Sequence, residues 1–330
     1  SGRSLQIDVD YDRRFVRKTD TEGNRLDEAL EALDNLARAE REAAQKAAKP
    51  GERVPTPYAA LQNHMSKNFD YLERQKLLEA IKARMAVPEI EKHLAMGRKV
   101  VVFHDFNVGG GFNPFTHLKT REVVINPETG ETAEVPISPM TAEASEGYRN
   151  LLAAHPWIAK MNFSGYRAPI AAIPAALGDR ARLFNGRIPT KQRLQNLADF
   201  NTDGSGADVL VVQADAGGAG ISMHDTTGKH QRVLINLGMP TKPTTTLQQE
   251  GRILRAGTKT NAPFRYFTIG TGWERQAFAK RIAERSGTVE NLALGNEARD
   301  LMNAFIDAYM DASDFAPSDQ DGIGGKVKDN

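Results

Sequence analysis

Apolar and polar positions change rhythm along this chain. From about Arg25 to Ala48, RLDEALEALDNLARAEREAAQKAA sets Leu26, Leu30, Leu33 and Ala37 on one stripe, which predicts an amphipathic helix. Pro50, Gly51, Pro55 and Pro57 break it. A second helical stretch, YLERQKLLEAIKARM, runs to about Met85, and Pro88 is expected to start a short helix ending at Gly97. Beyond that point short apolar runs take over: KVVVFHDF (99–106), ARLFN (181–185), DVLVVQ (208–213), RVLINL (232–237) and RYFTIG (265–270). Helical patterns separate most of them: PIAAIPAAL, KQRLQNLADF, TLQQEGRILRA and WERQAFAKRIAERS. Near-continuous Val/Ile/Leu strands alternating with helices predict an α/β domain whose parallel sheet is buried on both faces.

The expected division is a helical N-terminal extension over 1–71, one α/β domain over 72–287, and a C-terminal helix with a disordered tail over 288–330. Two segments break the alternation. An insertion at about 108–161 contains REVVINPETGETAEVPIS, two β-like runs around an Asn-Pro-Glu-Thr-Gly turn, which predicts a hairpin. The tail DFAPSDQDGIGGKVKDN is polar and Gly-rich, and disorder is expected there. Near the other end, DVDYD (8–12) alternates carboxylates like a strand with one wet face.

Charge and composition narrow the functional classes. Lys+Arg 43 against Asp+Glu 42 leaves a formal charge of +1, so any nucleic-acid binding must come from a local groove rather than a global field. Hydrophobic content of 40% with 26% charged residues is ordinary for a soluble globular chain. Zero cysteines excludes disulfides and thiolate metal sites. No apolar run approaches the roughly 18 residues of a membrane helix, and no membrane partner is expected. A cytoplasmic location is expected, or a nuclear one in a eukaryote.

Candidate chemistry centres on LQQEGRILRAGT (247–258). Arg252 and Arg255 follow Gly251 in what reads as the opening turns of a helix, and a spacing of three puts both guanidiniums on one face. Such forks suit phosphate oxygens; taken alone, they would more often be a solvated helix face. Their neighbourhood shifts the balance. DVLVVQADAGGAGISMHD sets Gly217, Gly218 and Gly220 behind a strand ending near Gln213, where backbone N–H groups can approach a ligand. LFNGRIPTKQRLQNLADFN brings Asn185, Arg187, Lys191 and Arg193 to the same sheet edge. The chain has no GxxxxGK[ST]; GIGGKV lacks the first glycine and the Ser/Thr. DEAL (27–30) lies inside an amphipathic helix and reads as a surface accident. DFNTDG (199–204) imitates half a calcium loop, but the twelfth position is Leu210 inside a strand. No metal site is expected.

In this order the blocks resemble the C-terminal RecA-like lobe of superfamily-two helicases and DNA translocases, nearest to the Swi/Snf-type and strawberry-notch-type branches. VVVFHDF resembles motif IV, QADAGGAGISMHD motif V and QQEGRILRAGT motif VI; RYFTIGTGWERQAFAKRI is similar to the strand and helix that close the lobe. The resemblance implies a RecA-like parallel sheet flanked by helices. It makes Arg252 and Arg255 arginine fingers that reach ATP, with its Mg²⁺, held by an N-terminal RecA-like lobe absent from this chain. It puts Gly218, Gly220, Gln248 and Gly251 on the nucleotide side. Phe106, Asn185, Arg187 and Gln213 would face nucleic acid, DNA being the favoured type. Ala214 departs from a frequent Thr, and Thr258 from a frequent Gln. On this resemblance the chain is half of a motor, inactive alone because it lacks Walker A and B. A binding module of the same fold, docking nucleic acid or a protein without catalysis, is the alternative.

Overall fold

The computed structural model describes residues 9–126, 128–216, 220–285, 295–310 and 323–324. The strands are β1 (Tyr11–Arg17), β2 (Lys99–His104), β3 (Arg121–Ile125), β4 (Thr132–Pro136), β5 (Ala181–Phe184), β6 (Val209–Gln213), β7 (Arg232–Asn236), β8 (Ala262–Thr268) and β9 (Ile323–Gly324). The helices are α1 (Thr21–Ala47), α2 (Pro57–Asn68), α3 (Tyr71–Ala95), α4 (Ala142–Ala154), α5 (Pro169–Leu177), α6 (Thr190–Asn201), α7 (Pro243–Glu250), α8 (Gly272–Arg285) and α9 (Asn296–Met310). Contacts divide them into two units: 1–20 with 75–110 and 166–330, and 21–74 with 111–165.

In the first unit a seven-stranded sheet runs β5-β6-β2-β7-β8-β1-β9. All its pairings are parallel except β1 with β9. The period-two alternation of strands sorts their side chains onto two faces. Val101, Phe103, Leu210, Val212, Leu234, Phe264 and Tyr266 pack with Phe200, Phe278 and Phe305 of α6, α8 and α9. Val100, Val102, Val209, Val211, Val233 and Ile235 pack with Ala83, Ala86 and Ile90 of α3 and Ile173 of α5. Burial on both sides explains why these strands read as continuous apolar runs.

Three expectations change. The helical extension expected over 1–71 contains a strand: Tyr11–Arg17 runs parallel beside β8, from Tyr11↔Ala262 to Arg17↔Thr268. Pro88 starts no new helix; α3 runs through it from Tyr71 to Ala95. Proline disrupts the helix one turn back, but buried Ala83, Ala86 and Ile90 hold both sides of it against the sheet. Third, α7 stops at Glu250, so Arg252 and Arg255 are not in a helix. The Arg252 carbonyl accepts a hydrogen bond from Met223 N at 2.9 Å, which diverts it from a helical ladder, and Gly257 turns the chain at φ 90°.

The second unit joins α1 and α2 to the insertion. Gly147 of α4 lies so close to α2 that a Cβ there would stand 2.3 Å from Pro57 O. Asn68 at the end of α2 donates to Pro114 O at 2.8 Å and accepts from Lys119 N at 2.6 Å, tying down the loop that leads to the hairpin. The hairpin is antiparallel, from Arg121↔Pro136 to Ile125↔Thr132. The tail expected to be disordered lies outside the described residues, apart from Ile323–Gly324.

Candidate functional site

The carboxyl ends of β5, β6, β2 and β7 form one edge, where open α/β sheets place their ligand groups. Next to β5, Asn185 is buried; its Oδ1 accepts from Arg187 N at 2.9 Å, while its Nδ2 has no partner among the described residues. A buried amide donor left unpaired is costly. Arg187 itself is exposed. At the end of β6, half-buried Gln213 accepts from Asn107 Nδ2 at 2.7 Å and donates to Asp105 O at 3.3 Å. The backbone pairing continues one step past the strands, with Ala214 N donating to His104 O at 2.8 Å. Phe106 is half-buried, with Lys76 Nζ 6.0 Å from its ring centre.

A carboxylate cluster underlies this edge. Glu79 of α3 is buried and accepts from Asp105 N at 2.7 Å and Phe106 N at 3.0 Å, fixing the turn that follows β2. Burial, and then the charge of Asp105, push the Glu79 carboxyl well above its ordinary range. Asp105 is pushed up to about 6, by burial first and by Asp215 second. Opposite it, a Cβ on Gly238 would lie 2.6 Å from Asp105 Oδ2, so only glycine fits there without displacement. The cluster is not legible in the sequence, because Glu79 belongs to a helix 26 residues upstream of Asp105; its one signal is a carboxylate at a buried position of α3.

Motif VI is held from two sides. Asn236 at the end of β7 donates to Gln249 at 2.7 Å. Glu250 receives a bidentate pair from Arg13 of β1 at 2.8 and 2.6 Å, and Tyr266 of β8 donates to the same carboxylate at 2.7 Å. Arg13 therefore sets the start of the arginine turn, although nothing in its local sequence marked it. Gln248 is exposed in the last turn of α7, next to buried Gln249. Gly251 ends the helix at φ −63°, a conformation open to any residue.

Behind that anchor the two arginines project from a surface turn. Arg252 is half-buried and donates to Ile221 O at 3.4 Å, and exposed Arg255 donates to Ser222 Oγ. Among the described residues neither forms an ion pair with a carboxylate. Thr258, in place of a frequent Gln, closes the turn: its hydroxyl donates to Arg255 O at 2.7 Å and accepts from Arg255 N at 3.0 Å. The turn thus docks on the segment leaving motif V, beginning just beyond Gly220, whose φ is 103°. Gly218 lies outside the described residues. The structure brings the motif V exit and motif VI together, and separately joins the motif IV end to Gln213.

Residues 162–257 match the family model described as helicase conserved C-terminal domain. No curated protein matches the chain significantly. Among solved structures, the chain is similar to the Sulfolobus solfataricus SWI2/SNF2 ATPase core in complex with dsDNA, at 11% identity and a TM-score of 0.34. That match covers 91% of this chain and 49% of the other, so the chain spans about half the length of that relative. From the α5 approach through the arginine turn, the chain is thus similar to a helicase conserved C-terminal domain, set on a mostly parallel sheet that β2, β8 and β1 complete.

Proposed function

We propose that this chain is the second motor lobe of an ATP-dependent nucleic-acid helicase or translocase. The carrying observation is the arginine turn: two guanidiniums three residues apart, in a turn whose start is held through Glu250, with no carboxylate partner among the described residues. Phosphoryl transfer spreads negative charge over phosphate oxygens, and fixed guanidiniums offset it without reorganising at the moment of reaction. ATP with Mg²⁺, held by a separate N-terminal RecA-like lobe, supplies the transferable phosphoryl group. This chain's residues then do three things. Arg252 and Arg255 bind and orient the phosphates, Gly220 with Gln248 and Gly251 leaves room on the nucleotide side, and Asn185, Arg187, Gln213 and Phe106 grip a nucleic-acid strand, favouring DNA. The exposure of Arg187 supports the last role, since its guanidinium is open to a backbone phosphate. The chain alone is expected to turn over ATP negligibly.

The test is steady-state ATPase of the complete protein carrying Arg252→Ala or Arg255→Ala. An arginine finger is worth about 10³–10⁵ in rate, so each variant should lose at least a thousandfold. Unchanged ATPase in both, with nucleic-acid binding lost in Arg255→Ala, would instead establish a non-catalytic docking module.

A further inference from the structure

A second concentration of positive charge lies at the other end of the sheet. A cleft of about 400 Å³ opens where β1, β2, β7 and β8 begin, and it receives Arg14 from β1, Arg265 from β8, Lys92 and His93 from the last turns of α3, and Arg98 from the loop after them. A neighbouring hollow of about 600 Å³ shares Arg98, Gln231 and Asn261 and adds Lys229. Two carboxylates also line the main cleft, and both are engaged. Asp12 pairs with Arg14 at 2.9 Å and Arg265 at 3.1 Å, and Glu89 pairs with Lys18 at 2.7 Å. Lys92, Arg98 and Lys229 form no ion pair among the described residues. A helix C-terminus favours cations in its last turn, which accounts in part for Lys92. It does not account for Arg14 and Arg265, which come from two strands.

The second observation is His93. It is 5% exposed, and its Nδ1 lies 2.9 Å from Arg98 Nη1. A guanidinium can only donate, so Nδ1 accepts and the ring proton sits on Nε2. That Nε2–H is buried and has no partner among the described residues. Burial first, and the charges of Arg98 and Arg265 next, hold the ring neutral with a pKa lowered to about 4. The cleft that His93 lines thus combines two cations that form no ion pair with a donor unpaired among the described residues, while its two carboxylates are held by other cations. A phosphoryl group supplies three acceptor oxygens and up to two negative charges. The volume suits a small phosphorylated ligand, and the charge also suits a backbone phosphate.

We propose that this cleft, on Lys92, His93 and Arg98, is an accessory phosphoryl-binding site separate from the arginine turn. Nothing in it depends on how Arg252 and Arg255 act.

The probe is inorganic pyrophosphate titrated into the full chain while the imidazole signal of His93 is followed by NMR, assigned with His93→Gln. A saturable shift is expected in the wild type and in Arg252→Ala/Arg255→Ala. Loss of one charge-assisted contact costs about 1.5–3 kcal/mol, so Arg98→Gln and Lys92→Gln should each weaken binding roughly ten- to hundredfold. Two separate variants guard against one failing to fold, and an unchanged amide spectrum away from the cleft verifies each. A short duplex DNA is the second arm: competition for the same His93 shift identifies a backbone phosphate as the source, and no competition identifies a free phosphorylated molecule. A His93 signal that does not move to saturation, or one that moves equally in both Gln variants, overturns the proposal.

Discussion

His104, the last residue of β2, carries a consequence of burial that a single substitution reads out. It is fully buried, its Nδ1–H donates to Phe106 O at 3.0 Å, and its Nε2 has no partner among the described residues. Burial disfavours the imidazolium more than the carbonyl bond favours it, and the pKa falls to about 4. The unfolded ring protonates near 6.5, so below that pH protons stabilise the unfolded chain first; stability from this group is intact above about 6.5 and lost as pH falls toward 4. A shift of this size corresponds to at most about 3 kcal/mol. The stability difference between wild type and His104→Leu, from urea melts at pH 7 and pH 4.5, should therefore shift by about 2–3 kcal/mol in the variant's favour at the lower pH. A constant difference would show that the ring titrates normally. Neither the burial of His104 nor the orphan donor on Asn185 was legible in the sequence: a histidine closing an apolar run, or an Asn after a strand, does not reveal whether a partner lies within reach.

Among elements, the helices and strands that were legible owe it to period. The α5 run PIAAIPAAL and all five apolar runs recovered their elements, because burial on one stripe or on both faces leaves a pattern in the residues themselves. What was not legible depended on partners far along the chain. TLQQEGRILRA has helical spacing throughout, yet the Arg252 carbonyl is captured by Met223, 29 residues earlier in sequence. DVDYD (8–12) near the N-terminus offers only an alternating pattern, and Arg13 just after it fixes motif VI through Glu250. Burial works against that charge, and the hydrogen bond and charge of Glu250 outweigh it, so the Arg13 pKa is raised. Removing one member of a buried pair strands the other and costs about 3–5 kcal/mol, whereas replacing both with apolar groups is often neutral. Arg13→Met should thus lower stability by about 3–5 kcal/mol in chemical denaturation, and Arg13→Met/Glu250→Leu should recover most of it. On the proposed motor role, Arg13→Met in the complete protein should also depress ATPase at temperatures where it stays folded, because the arginine turn loses its base. Full ATPase in the folded single variant would mean that Arg252 and Arg255 are positioned by the motif V contacts alone.

For the whole molecule the governing quantity is how little charge there is to spend. A formal charge of +1 over 330 residues gives no long-range pull on a polyanion, so grip must come from whichever cations one edge collects. The β5–α6 edge holds three: exposed Arg187 and Lys191, and half-buried Arg193, whose guanidinium lies 5.8 Å from the Phe184 ring and donates to Thr190 at 3.0 Å. Each phosphate neutralised releases counterions, with a slope in log K against log salt of about −0.9 per contact on duplex DNA and about −0.7 on a single strand. Three contacts therefore predict a slope of about −2 to −3 for this chain, shallow beside proteins that clamp six or more phosphates. Fluorescence anisotropy across a salt series measures it directly, and Arg187→Ala should reduce its magnitude by roughly one contact's worth without changing sequence preference. A slope much steeper than −3 would require phosphate contacts from cations outside this edge, and the basic cleft at the opposite end of the sheet would then be the first place to look. A shallow slope, together with pyrophosphate binding that DNA fails to displace, would separate the two basic regions into a grip for nucleic acid and a pocket for a small phosphorylated ligand.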